Sequence, residues 1–167
     1  MSNIYTPQHV ANFFLDKAEE ECIKLTQLKL MKLIYLAYGW YIAFTHKKLF
    51  EEPIQAWKHG PVIESIYHEF KHFKKNVIDI NSIIFDLDTG NTIIPRIDDH
   101  ETIRILEKVW IGYKDFTAIS LVNREHRNGT AWYKHYKENE NKTISDQIIE
   151  EDFYQRIVRY INAQRSK

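Results

Sequence analysis

The sequence predicts a mainly α-helical protein: a single compact helical domain over residues 1–167, with about six to seven helices and a small β-hairpin. Three observations carry that prediction. Leu28, Met31, Tyr35, Tyr38 and Ile42 recur at intervals of three and four, which is one face of a helix. Five Gly and four Pro in 167 residues are too few for a turn-rich sandwich or barrel. One pair of β-branched runs brackets a glycine turn, as a hairpin requires.

Taken in order, Thr6-Pro7 reads as an N-cap followed by proline at the first helical position. The first helix extends to about Glu21, with Val10, Phe13, Phe14 and Ala18 inward. Thr26 caps the second. Its stripe is widened by Leu30, Leu33, Ile34 and Ala37 until it is apolar nearly all round, so this helix should be central. Residues 47–60 lack a period and read as an ordered loop with room for a short strand. Pro61 should open the third helix, with Val62, Ile66 and either Phe70 or Phe73 inward. Ile83-Ile84-Phe85 and Thr92-Ile93-Ile94 flank Asp88-Thr89-Gly90-Asn91 as the hairpin. Asp98 should cap a fourth helix that Gly112 stops. Asp115 or Thr117 begins a fifth. Asn128-Gly129 marks a turn, and a short helix follows over Ala131 to Lys137. Residues 138–142 read as an exposed loop. The last helix starts near Asp146, with Ile149, Phe153, Ile157 and Tyr160 inward.

Hydrophobic residues make up 44% of the chain, enough to bury a core and too many for disorder. Lys+Arg and Asp+Glu both number 23, so the excess positive charge of a nucleic-acid binder is missing and nucleic acid is not the expected partner. The single cysteine, Cys22, rules out an intramolecular disulfide and reads as partly buried and inert. The N-terminus lacks the basic and apolar regions of a signal peptide, and no run of 18 apolar residues offers a membrane span. The expected location is the cytoplasm.

No phosphate-cradling loop or serine-nucleophile elbow occurs, and no cofactor is expected. His68-Glu69-Phe70-Lys71-His72 spells H-E-x-x-H. On a helix, His68 and His72 would share a face for zinc, with Glu69 as general base. Nothing after it supplies a third ligand signature, and chance placement on a helix surface is the commoner explanation of these residues. Trp57, His59, Gly60 and Pro61 crowd a corner that suits either packing or binding. Tyr35, Tyr38 and Trp40 cluster on the second helix, where rings with polar tips serve core edges and interfaces alike.

These segments resemble a known family. The run Leu28 to Trp40 resembles the "lkLqKLlYyaqgw" segment of the Panacea domain, and Leu49 to Val62 its "pLf.e.ieAw.yGPV" segment. Leu121, His126 and Trp132 match its "L…tH…pW" spacing, but Glu125 stands where Thr is usual and Ala131 where Pro is usual. The resemblance to this antitoxin family, with its SocA-like and phage-associated GepA-like branches, implies a binding module that neutralises a cognate toxin by direct contact. Implied partners are small alarmone synthetase-like or other translation-inhibiting toxins. For the SocA-like branch it also implies an adaptor role, handing the toxin to a ClpXP-type protease. A zinc hydrolase built on His68, Glu69 and His72 is the alternative of another class. The family pattern picks out Tyr35, Tyr38, Trp40, Trp57, His59, Gly60, Pro61, His126 and Trp132 as interface or motif residues.

Overall fold

The computed structural model describes residues 5–167, so the leaderless reading of the chain's first four residues lies outside them. The mainly helical reading holds, with seven helices among the described residues.

Helix α1 (Pro7–Glu20) begins after Thr6, whose backbone N–H is received by His9 Nδ1 at 3.1 Å. Cys22 follows in the turn, exposed and at φ 55°, rather than partly buried as expected. Helix α2 (Gln27–Thr45) is capped by Thr26, which accepts from Lys29 N. Leu30 through Gly39 are buried without a break, because α1 and five later elements surround this helix. It is the central helix the sequence predicts.

Strands β1 (Ile54–Trp57) and β2 (Gly60–Ile63) form an antiparallel hairpin with Ala56 opposite Pro61. Residues 54–57 are the short strand for which the sequence leaves room, while one expectation is corrected: Pro61 lies in a strand instead of opening a helix. A later strand, β5 (Lys142–Thr143), pairs with the other side of β1, so the order is β2-β1-β5 and β2 is an edge, where a proline's missing donor is tolerated. Helix α3 (Glu64–Phe70) starts only after Ile63 and passes into a 3₁₀ turn (Lys71–Phe73). Its Ile66 and Phe70 are buried.

Strands β3 (Ile84–Asp86) and β4 (Asn91–Ile93) make the predicted hairpin, with Gly90 at φ 72° in its turn. Helix α4 (His100–Tyr113) is capped by Asp99, which accepts from Thr102 N at 2.8 Å. Asp98, the expected cap, instead accepts from the Tyr5 hydroxyl at 2.9 Å. Gly112 does not stop this helix; it stays inside it, and the helix ends one residue later.

Helix α5 (Ala118–Glu125), capped by Thr117, leads through Gly129 at φ 89° to α6 (Ala131–His135), capped by Thr130. At the end of the expected loop, Lys142 and the following Thr143 form β5 against Gln55 and Ala56. Helix α7 (Asp146–Arg165) lies on α2 with Ile149 and Phe153 buried, while Tyr160, expected inward, is 66% exposed. Gly39 is what lets α7 approach: a Cβ there would sit 2.2 Å from the Phe153 ring. None of the described helices is long and apolar enough to cross a membrane.

Candidate functional site

Two neighbouring features collect the chemistry of the chain. The first is buried. Lys32, inside the apolar stripe of α2, is 1% exposed, and its Nζ donates to the Pro61 carbonyl at 2.8 Å. Burial pulls this ammonium down to about pKa 7, against the opposing pull of the Glu125 charge. Gly60 makes room for it. At φ 107°, a Cβ on Gly60 would lie 2.7 Å from Lys32 Nζ. So the Gly60-Pro61 corner is shaped around a lysine that sequence reasoning passed over. The available signal was a cation in a stripe otherwise apolar on every side.

The same corner holds Trp57, whose carbonyl accepts from Trp132 Nε1 at 2.7 Å. Trp132 lies between His126 (3.9 Å, 11°) and Tyr136 (4.7 Å, 15°) in a three-ring stack. Burial, then the charges of Lys32 and His59, lower the His126 pKa. Four distant motif segments therefore meet here: α2, the β1–β2 turn, the end of α5 and α6.

Behind this stack sits a buried ionic cluster. Arg156 of α7 grips Glu125 with two bonds, Nη1 to Oε1 at 3.1 Å and Nη2 to Oε2 at 2.8 Å, and also reaches Asp152. Burial penalises the Arg156 charge, but the Glu125 and Asp152 carboxylates outweigh that and raise its pKa. The Tyr35 hydroxyl is buried nearby, and burial followed by the Glu125 charge pushes its pKa up.

The second feature is a groove open to solvent between α2, α4, α5 and α7. Its two halves, of about 540 and 560 Å³, share Trp40, Tyr113, Arg124 and Tyr160. Trp40 Nε1 donates to the Tyr113 hydroxyl at 3.1 Å, and its ring stacks on Phe44 at 5.9 Å. Phe44 is 56% exposed. Arg124 lies over the Phe116 ring at 4.2 Å. Trp, Tyr and Arg together in one recess are the composition of protein-binding hot spots.

The residues singled out by sequence divide accordingly. Tyr35, Tyr38, Gly60, Pro61 and Trp132 are buried, Trp57 and His126 half-buried, and His59 exposed beside the Lys32 corner. Tyr38 donates to Asp146 at 2.7 Å and braces α7. Trp40 alone reaches the groove. Phe44, Tyr113, Arg124 and Tyr160 were missed because they come from different helices, and only packing brings them together.

The H-E-x-x-H residues do not converge. His68 faces Glu64 at 3.5 Å, and His72 lies past the end of α3 in the 3₁₀ turn. Glu69 accepts twice from the buried Ser82 hydroxyl, at 2.6 and 2.8 Å. Among the described residues no three His, Cys, Asp or Glu side chains gather as a metal site would need.

Comparison with known proteins follows the same segments. The family model for the antitoxin SocA-like, Panacea domain matches residues 30–133. Antitoxin SocA of Caulobacter vibrioides (strain NA1000 / CB15N) is 35% identical over 127 residues, which is 74% of this chain. That match spans 66% of the relative's own length, just under two thirds. No solved structure matches the chain.

Proposed function

The chain belongs to the SocA-like antitoxin family with the Panacea domain, and we propose that it neutralises a cognate toxin by binding it directly through the groove around Trp40. The observation that carries this reading is the groove itself. Phe44 and Tyr160, 56% and 66% exposed, flank a half-buried Trp40 already held by Tyr113. Aromatic side chains fixed in place lose little entropy on binding, so they suit recognition better than flexible ones. The buried Lys32 corner and the Glu125–Arg156 cluster act as scaffold, since they hold α2, α5, α6 and α7 in register beneath the groove.

The partner that suits this reading is an enzyme toxin, such as a small alarmone synthetase-like or other translation-inhibiting protein. Covering its substrate site, through an interface on the order of 1,600 Å² in total, would suffice for neutralisation.

The test is expression of the gene beside this one, alone and together with the antitoxin. The expected result is growth arrest, rescue by co-expression and a complex that purifies intact. A neighbour that is harmless alone, or that arrests growth unrelieved by this chain, sinks the reading.

A further inference from the structure

We infer that the groove receives a segment of the toxin that carries a large apolar side chain flanked by carboxylates. This rests on the antitoxin reading and adds the chemistry of what is recognised. The groove is asymmetric. One end is apolar, lined by Trp40, Phe44, Ile105 and Phe116. The other end is cationic, with Arg127 and Arg159 exposed beside Asn128 and Gly129.

The charge imbalance is local. Across the groove Lys108, Arg124, Arg127 and Arg159 stand beside Arg156, which Glu125 and Asp152 already match, although the whole chain has zero formal net charge. Nor is Glu125 free to neutralise them, because both its oxygens are taken by Arg156. Arg127 has no carboxylate partner among the described residues, and Arg159 bonds only the Gln155 carbonyl of its own helix, at 3.3 Å. Two unpaired guanidiniums next to an aromatic recess call for an anionic partner with an apolar anchor.

Arg124 joins the two ends. Its guanidinium carbon lies 4.2 Å from the centre of the Phe116 ring, which ties the charge to the groove wall. A nucleic acid would also meet arginines and rings. The balanced charge of the chain favours the protein partner, since phosphate tracking needs positive charge over a broad face.

The probe is the purified product of the neighbouring gene, inactivated by mutation. Its dissociation constant is measured at low and at physiological ionic strength, with near-UV circular dichroism checking each variant's fold. Arg127→Glu/Arg159→Glu should weaken binding about tenfold or more, and most at low salt. Phe44→Ala should weaken it on the order of tenfold without changing the salt dependence. Lys75→Glu, outside the groove, should change nothing. If the wild type binds and rescues growth while the groove variants bind equally well, the toxin uses another face and the inference fails with the antitoxin reading intact. If the wild type does not bind, the antitoxin reading itself fails. If the double reversal abolishes binding of a single-stranded RNA probe but spares the toxin, the cationic end serves nucleic acid and the inference is overturned.

Discussion

The backbone N–H of Ala131 donates to the Asp152 carboxylate at 2.9 Å. Proline, the residue the family pattern favours at this position, has no N–H to give. Glu125, which stands where that pattern has threonine, binds Arg156, which shares α7 with Asp152. Both positions therefore contact one structure, the Asp152–Arg156 pair of α7.

Ala131→Pro isolates that donor. Ala131 is the first residue of α6, where proline fits, and Thr130 before it is already extended at ψ 159°. The loss should come from a buried carboxylate short of one hydrogen bond, about 1–3 kcal/mol. Urea unfolding measures it. An unchanged midpoint would mean the bond is not made.

Lys32 predicts the stability-versus-pH curve. Its native pKa is lowered to about 7 by burial, while the unfolded chain titrates near the ordinary lysine value of 10.5. Between these values the unfolded state binds more protons, so stability rises with pH from about 7 upward. Below about 7 both states are protonated and the slope from this group vanishes. Chemical unfolding at pH 7.5 and 9.5 should find the protein more stable at the higher pH, and Lys32→Met should flatten that difference. A flat wild-type profile contradicts the buried, unpaired ammonium.

Gly39→Ala sets two effects against each other. Alanine favours a helix interior by about 1 kcal/mol over glycine. The new Cβ, however, would lie 2.2–2.5 Å from three atoms of the Phe153 ring, and overpacking costs about 1–3 kcal/mol. The net sign should be destabilising, and Phe153→Leu in the same chain should relieve part of it. Thermal unfolding of the single and double variants decides; a stabilised single variant would show that α7 moves aside freely.

Glu69→Gln separates contact from catalysis. Its carboxylate accepts the Ser82 hydroxyl, a bond an amide oxygen can keep. Neutralisation of the toxin should survive, with stability lowered by no more than about 1 kcal/mol. Loss of neutralisation with the fold intact would revive a chemical role for this glutamate.

Much of the scaffold was legible in the sequence. The unbroken apolar surface of α2, the Thr26, Thr6-Pro7 and Thr117 starts and the Gly90 hairpin are local signals, and local physics decided them. Where tertiary context decided, the reading failed. Pro61 looks like a helix start, yet its edge-strand position and the carbonyl it offers Lys32 place it in β2. Tyr160 keeps the helical period of α7 but lines the open groove, 66% exposed, instead of entering the core. The groove was not legible, because Trp40, Tyr113, Arg124 and Tyr160 share no spacing and meet only when four helices pack.

The most direct test of the account titrates purified toxin with purified antitoxin, with no protease present, and follows residual toxin activity. Direct neutralisation predicts that activity falls in proportion to added antitoxin and reaches its floor at a fixed molar ratio, and that Phe44→Ala shifts this titration to higher concentrations. Toxin activity that stays unchanged at any excess of antitoxin would contradict neutralisation by contact.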